Sequence, residues 1–238
     1  MFPYDSTIAA ALATTPQSIP EVLNAMRGID AICTDGDGLK WFNWLYLQVT
    51  QAVEDRVSTG GFNNPAWLSS LDVNFAALYF NALRSSLTGQ SCAGCWSAMF
   101  SRRNQAELAR IQFALAGMNA HINHDLPLAI DQTSRAFNTR PTHDTPLYND
   151  FTSLNATMCA LIDEAKATLH VRLLGDTLPP AGHIEDAIAS WDLAAAREAA
   201  WNTAEILWFE PRILVPAHMA ILSALTAFLG KTLLLPAP

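Results

Sequence analysis

Charged residues are scarce in this sequence, and basic residues are scarcer than acidic ones. Only 15% of the 238 residues are charged, and 14 Lys and Arg against 22 Asp and Glu give a net charge of −8. The sequence contains no run of basic residues. A protein that binds a nucleic-acid backbone or an anionic lipid surface needs a cationic patch. The composition therefore argues against nucleic acids and anionic membranes as partners.

Cysteine is equally sparse, and its spacing does not predict a disulfide framework. The four cysteines are Cys33, Cys92, Cys95 and Cys159, and so few thiols in a chain of this length indicate a reducing compartment. Cys92 and Cys95 have the CxxC spacing, but a structural zinc site requires a second such pair. We therefore predict a cytoplasmic protein in which Cys92 and Cys95 are loop cysteines.

A long apolar run is also missing, although half of the residues are hydrophobic. The only candidate, residues 217–229, is shorter than the ~20 residues that a membrane span needs, so it predicts a buried helix and no stable membrane insertion. Near the amino terminus Asp5 precedes the apolar stretch IAAALA, where a signal peptide has Lys or Arg. The sequence leaves open whether the chain forms a homodimer through its apolar last helix.

Segments that alternate with the period of a strand are absent, whereas apolar residues recur at helical spacing throughout. Ser18 followed by Pro20 is typical of a helix start. Two prolines within residues 136–146 predict the main internal loop, and residues 1–30 are expected to form amino-terminal helices. The pattern predicts one all-α domain over residues 1–238, a bundle of about seven to nine helices.

The stretch GMNAHINHDLPLAI, residues 117–130, places two histidines and an aspartate in an apolar helix. At roughly 100° per residue, Asp125 falls on the core face, His121 lies at the margin of that face, and His124 points to the polar side. Pro127 is expected to limit this helix. His121 and Asp125 are four residues apart and therefore meet on one surface. A carboxylate on a core face is costly unless it is paired, hydrogen-bonded or bound to a metal.

Three roles remain open for this pair. His121 and Asp125 have the spacing of two helical ligands of a zinc or ferrous ion, which would support hydrolase-type chemistry. Alternatively, Asp125 orients the imidazole of His121, which acts as a metal-free general base or acid. In the third interpretation both residues are structural, and the chain is a helical module that binds a hydrophobic ligand or partner.

Long strings around this stretch carry a resemblance. DGLKWFNWLYLQVTQAVEDRV, PAWLSSLDVNFAALYFNALR and IQFALAGMNAHINHDLPLAI resemble a bacterial family catalogued as a domain of unknown function, number five-nine-nine-five, over roughly residues 30–230. That resemblance implies a helical family without an assigned activity. HINHDLPLA is also distantly similar to the His-xxx-Asp helix of the zinc phospholipase C and single-strand nuclease group, which implies zinc ligation by His121 and Asp125. The amino-terminal zinc-binding tryptophan of that group has no counterpart in MFPYD.

Glu198 is a further candidate for catalysis. It lies in WDLAAAREAAWNTAEILWF, a helix that is apolar nearly all round and carries tryptophans. A buried carboxylate in such surroundings has a raised pKa and acts as an acid or a metal ligand, unless it forms an ion pair with Arg212 or Lys166. His143, in the proline-rich loop, is expected to be an ordinary exposed residue.

These observations predict an enzyme with a partly buried His/carboxylate site in an apolar cavity that accepts a small, largely apolar molecule. The residues assigned to catalysis are His121, Asp125 and Glu198. If the chemistry is hydrolytic, a divalent metal, zinc or iron, is expected at His121 and Asp125.

The weaker candidates for further metal ligands are Asp35, Asp37 and His170. Asp35 and Asp37 alternate with glycines, a pattern that equally favours a helix cap and turn, and His170 is equally suited to cap the carboxyl end of a helix. The alternatives are a metal-free cyclase, isomerase or lyase of specialised metabolism, and a non-catalytic ligand-binding module.

Overall fold

The computed structural model describes residues 1–172 and 192–236, except for the side chains of residues 170–172. These ranges contain α-helices, one π-helical turn and no strand, which confirms the predicted all-α class. The helices are α1 (Asp5–Ala11), α2 (Ile19–Ile32), α3 (Gly38–Ser58), α4 (Pro65–Leu87), α5 (Gly94–Phe100), α6 (Arg110–Ala120), α7 (Leu126–Ala136), α8 (Pro146–Thr152), α9 (Asn155–Arg172), α10 (Leu193–Phe209) and α11 (Val215–Leu233), and the π-helical turn (His121–Asp125) joins α6 to α7.

Polar side chains begin several of these helices. The Ser18 hydroxyl accepts a hydrogen bond from the N–H of Glu21, as predicted for the start of α2. Asp37 likewise begins α3, where its carboxylate accepts the N–H of Leu39 at 3.0 Å. Such caps satisfy amide groups that the first helical turn leaves without a partner.

The core is built largely from aromatic side chains. Trp67, Trp96 and Trp201 are completely buried, and one continuous cluster of buried side chains extends from Ile8 to Leu234. Helix α6 packs against α3 and α11, and α5 also packs against α11. The residues around the π-helical turn therefore lie among neighbouring helices in the interior of the fold.

Helices α6 and α7, together with the π-helical turn, form one helical segment through this core. All ten residues from Ile111 to Ala120 are buried. Gly117 permits the close approach of α3, because an added Cβ would lie 2.3 Å from Cγ of Phe42. A larger residue at this position would separate the two helices.

Pro127 does not end this segment, contrary to the prediction. In the π-helical turn the N–H of Leu126 bonds to the carbonyl of His121, five residues back. The α-helical ladder is interrupted there, so Pro127 occupies the first turn of α7. Proline is tolerated in a first turn because a missing N–H donor leaves no broken hydrogen bond.

The apolar carboxyl-terminal run forms α11, which has one buried and one exposed face. Its buried face includes Ala227 and Gly230, whereas Ile221, Leu225 and Phe228 are exposed. The prediction that this helix is buried is therefore correct for one face only. Within the described ranges, no helix combines the length and apolar character that crossing a membrane demands.

Candidate functional site

The π-helical turn places Asp125 at the centre of a buried polar cluster, which we call the Asp125 cluster: Trp96, His121, His124 and Asp125. One oxygen of Asp125, Oδ2, accepts a hydrogen bond from Nε1 of Trp96 at 2.9 Å and lies 3.0 Å from Nδ1 of His121. The other, Oδ1, lies 2.8 Å from Nδ1 of His124. The residue is 2% exposed, so these N–H groups take the place of water around the buried charge.

His124 belongs to this cluster, contrary to the expectation that it points to the polar side. It is 8% exposed and bonds to the adjacent Asp125. The expectation assumed the rotation of an α-helix at every residue, whereas a π-helical turn has more residues per turn and rotates less at each one. Because each residue of the turn rotates less than in an α-helix, the side chain of His124 points towards the interior. Single π-helical turns inside α-helices occur frequently at functional sites.

The Asp125 cluster holds its two histidines in different charge states. Burial lowers the pKa of His121 below 6.5 and outweighs the opposing effect of Asp125. Burial also opposes the charged form of His124, but the interactions with Asp125 and with the Cys95 thiol together raise its pKa to about 10. For Asp125, burial raises the pKa, and the bonds from the two histidines lower it to below its usual value of 3.8. At pH 7 the cluster therefore contains a carboxylate, an imidazolium at His124 and a neutral imidazole at His121.

Neutral His121 carries its proton on Nδ1, because the carboxylate beside that nitrogen only accepts hydrogen bonds. Nε2 is therefore unprotonated, and it is buried without a hydrogen-bond partner among the described residues. Phe75 stacks on the ring with centroids 3.4 Å apart, and the ring of Tyr46 lies 4.5 Å away in an edge-on arrangement. An unprotonated imidazole nitrogen, with a carboxylate behind the other nitrogen, is the arrangement of a general base.

A cavity of about 30 Å³ lies one side chain away from His121, which is not itself part of the cavity wall. Tyr46 and Phe75 contact the imidazole ring and also line this cavity. Most of the remaining wall is apolar, with Asp72 and Arg197 as its charged members. The volume suffices for about two water molecules, so a larger molecule enters only if side chains of the wall move.

Buried polar groups border the cavity. Asp72 accepts no hydrogen bond from the described residues, and its Oδ2 is buried. The buried hydroxyl of Tyr46, another residue of the cavity wall, interacts with that of Thr50, one turn later on α3. Burial, and to a smaller extent the charge of Glu54, raises the pKa of Asp72 to about 7. Native interiors leave few polar groups unsatisfied, and a perturbed pKa beside a cavity indicates a candidate functional site.

Asp72 and Tyr46 are not among the residues predicted from the sequence, although a signal for Asp72 exists. Asp72 follows Leu68 by four residues and precedes Tyr79 by seven, so all three lie on the buried face of α4. A carboxylate on a core face is the same anomaly that identified Asp125. No comparable signal distinguishes Tyr46 from the other aromatic residues of α3, because its role depends on contacts with other helices.

Glu198 lies in a second polar cluster, with His143, Tyr148 and Glu205. Its Oε1 lies 2.8 Å from Nε2 of His143, and its Oε2 accepts the Tyr148 hydroxyl proton at 2.7 Å. The other ring nitrogen of His143 lies 3.2 Å from Oε1 of Glu205. The hydrogen bond from Tyr148 and then that from His143 lower the pKa of Glu198, and its side chain is 40% exposed.

The prediction that Glu198 is buried with a raised pKa is therefore wrong, and so is the alternative, an ion pair with Arg212 or Lys166. Arg212 pairs with Asp131 at 2.8 Å. The periodicity of α10 cannot reveal that residues 137–145 fold back onto this helix and bring His143 to Glu198.

Asp35 and Asp37 do not contact the Asp125 cluster. Asp37 caps α3 and pairs with the buried Arg103, whose Nε donates to Oδ1 at 2.8 Å. Asp35 lies at the surface, 2.7 Å from Nζ of Lys40. The cap expected as one alternative is thus the observed role of Asp37. The side chain of His170 lies outside the described residues.

Cys95 is not a loop cysteine, contrary to the prediction. It lies in the first turn of α5, is 1% exposed, and its N–H donates to Oγ of Ser223 at 3.3 Å. Its thiol interacts with His124, so Cys95 borders the Asp125 cluster.

The two predicted ligands of a zinc or ferrous ion, His121 and Asp125, are engaged within the cluster. Nδ1 of His121 and both oxygens of Asp125 already bond within the cluster. The side chains described, those of residues 1–169 and 192–236, contain no group of three His, Cys, Asp or Glu arranged to hold a metal ion. Protein zinc sites use at least three such ligands.

The fold and this site define an all-α protein with a buried histidine–carboxylate cluster, separated by one layer of side chains from a small apolar cavity. The chain belongs to a family of unknown function, DUF5995, whose family model matches residues 19–236. The family membership expected from the sequence is thereby confirmed. No curated protein and no solved structure matches the chain.

Proposed function

We propose that this protein is a metal-independent acid–base enzyme that converts a small, largely apolar molecule. The observation that carries the proposal is the unpaired Nε2 of neutral His121, with Asp125 bound to the opposite nitrogen and one layer of side chains between the ring and a cavity. Leaving a buried polar atom unpaired costs stability without a structural benefit. A general base, in contrast, needs that free lone pair for a proton of its substrate.

His121 is the base in this proposal, and Asp72 is the acid. Nε2 of His121 takes a proton from the substrate, and Asp125 stabilises the imidazolium that forms. The pKa of Asp72 is about 7, so a substantial fraction of this carboxyl group is protonated near neutrality and is able to donate a proton to the substrate. Two groups whose surroundings suit them to opposite roles support an isomerisation, a cyclisation or an elimination.

The substitution His121→Asn tests the role of the base. Wild-type protein and variant are incubated with a fractionated metabolite extract, and mass spectrometry records which compounds change. We expect the wild-type protein to convert at least one small compound. The variant should convert it at least about 100-fold more slowly, because a general base contributes a factor of this size. His218→Asn is the matched control, because His218 pairs with Glu210 at 3.0 Å and should not affect turnover.

Other outcomes would overturn the proposal in distinct ways. Equal conversion by wild type and His121→Asn would remove His121 from the chemistry. A compound that binds the wild-type protein but is not converted would support the non-catalytic ligand-binding module. A stoichiometric metal in untagged wild-type protein that is lost in His121→Asn, detected by elemental analysis, would support the metal-dependent hydrolase.

We also propose a homodimer formed through α10 and α11. Of the eleven large hydrophobic side chains that are exposed in the described ranges, nine lie between residues 206 and 235. Ile221, Leu225, Phe228 and Leu229 form a stripe on α11, because residues three and four apart share a helix face. The nine side chains expose on the order of 900 Å², comparable to the ~800 Å² that each partner contributes to a stable interface. A second copy of the chain supplies a matching apolar face.

Phe228→Lys is expected to dissociate this dimer, because a charged side chain would replace one that is 75% exposed at the centre of the stripe. Light scattering after size exclusion should give twice 25.9 kDa for the wild-type protein and 25.9 kDa for the variant. Phe137→Lys, at an exposed phenylalanine outside the stripe, is the control and should remain dimeric. A monomeric wild-type protein would contradict the proposal.

We also propose that the protein is located in the cytoplasm. All four cysteines are free thiols, which supports a reducing compartment.

A further inference from the structure

Among the described residues, Arg197 is a buried cation without a carboxylate partner. Its Nε donates to Oδ1 of Asn155 at 2.7 Å, and its Nη2 donates to the carbonyl of Phe151 at 2.8 Å. The guanidinium lies over the Phe151 ring, 4.0 Å from the centroid. It forms no ion pair with the described residues, although it is only 4% exposed. Burial lowers the pKa of Arg197 to about 9.

A second buried arginine among the described side chains shows the usual arrangement. Arg103 lies between two carboxylates, 3.0 Å from Oδ1 of Asp5 and bonded to Asp37. Removing a guanidinium from water is costly, and a counterion normally offsets that cost. Arg197 has only neutral acceptors, which leave three of its five N–H donors without a partner in the described part of the chain.

The position of Arg197 indicates where the missing counterion belongs. Arg197 lines the same cavity as Tyr46, Phe75 and Asp72, and the rest of that wall is mainly apolar. A planar guanidinium binds a carboxylate through two parallel N–H bonds, and the strength of this pairing increases in an environment that excludes water.

We propose that the cavity binds a small organic acid, whose carboxylate pairs with Arg197 and whose carbon skeleton lies against the apolar wall. This inference rests on the proposed function, because it names the substrate class of the same site. The protein carries a net charge of −8 and does not attract anions from a distance. A buried cation is therefore needed to select an acid over a neutral molecule of the same shape.

The size of the cavity restricts the acid to a short chain. A volume of about 30 Å³ accepts only a few atoms before side chains of the wall must move. The apolar residues around it, such as Val49, Leu126 and Met158, favour a hydrocarbon chain over a hydroxylated one. A saturated monocarboxylate of a few carbons is the simplest probe with this chemistry.

Calorimetric titration with sodium butyrate and with its neutral isostere butanamide tests the inference at constant ionic strength. We expect the wild-type protein to bind butyrate at least ten-fold more tightly than butanamide. Arg197→Met, which keeps an unbranched stem but removes the guanidinium and its charge, should lose this preference. Arg84→Met, at an exposed arginine on α4, should retain it. His121→Asn should also retain it, because His121 is not the residue that binds the carboxylate.

The wild-type comparison decides the inference even if Arg197→Met does not fold. Equal affinity of the wild-type protein for butyrate and butanamide, or no binding of either, would overturn it. Failure of the proposed function is recognised separately. If a neutral compound is turned over and this turnover depends on His121, the substrate is not an organic acid, but the acid–base role of His121 stands. Binding of butyrate without any turnover that depends on His121 would retain the organic-acid ligand and remove the catalysis.

Discussion

Replacing Asp72 by asparagine is expected to stabilise the protein at pH 8 by up to about 4 kcal/mol. The pKa of Asp72 is 3.8 in an unfolded chain and about 7 in the folded one, because the carboxyl group is buried without a hydrogen bond. At pH values between these two pKa values, Asp72 binds a proton more tightly in the folded state than in the unfolded state. Stability therefore falls as the pH rises from about 4 to about 7, and it remains at the lower level above that range.

Urea unfolding of the wild-type protein and Asp72→Asn at pH 4 and pH 8 measures this effect. The variant should gain almost nothing at pH 4, where the wild-type carboxyl group is already neutral, and should gain most at pH 8. Asp163→Asn on α9 is the control, because the side chain of Asp163 is 75% exposed and its removal should change stability by less than about 0.5 kcal/mol. A gain that is equal at both pH values would show that the charge of Asp72 is not the cause.

The same substitution is expected to remove the proton donor of the proposed reaction. A more stable but inactive Asp72→Asn would be the trade-off expected of a strained functional site. If Asp72→Asn remains active, another group is the proton donor of the reaction.

Truncating Asp125 to alanine is expected to destabilise the protein by about 3–5 kcal/mol, the cost of leaving a buried charge without its partner. The imidazolium of His124 loses its counterion, and the N–H groups of His121 and Trp96 lose their acceptor. In the wild-type protein the contribution of His124 to stability is complete below pH 6.5 and is lost as the pH rises to about 10. Without Asp125, the burial of His124 should lower its pKa below 6.5.

Urea unfolding at pH 7 measures the loss, and the NMR titration of His124 measures the pKa. Trp96→Phe is a useful comparison, because it removes one donor and keeps the charge pair, so its loss should be smaller than that of Asp125→Ala. A loss below about 1 kcal/mol for Asp125→Ala, the range of surface ion pairs, would show that water or another residue replaces the carboxylate.

Much of the candidate site follows from one local rule. Asp125 is a carboxylate on the apolar face of a helix, and His121 is four residues away, so their contact is encoded by helical spacing alone. The same rule indicates Asp72 in hindsight. The rule fails for His124, because no propensity in the sequence announces a π-helical turn. It also fails for Glu198, whose partner His143 comes from a loop that the spacing of α10 does not describe.

The sequence by itself determined the all-α class and the burial of Asp125, because hydrophobic periodicity, caps and the cost of a buried charge act over a few neighbouring residues. The family followed from long strings of sequence that resemble it. Only the tertiary structure decided which groups meet: the charge of His124, the unpaired nitrogen of His121, and the cavity shared by Asp72 and Arg197. These residues come from α4, the π-helical turn and α10. Their proximity depends on how distant helices pack, and that packing depends on the side-chain shapes of the whole core at once.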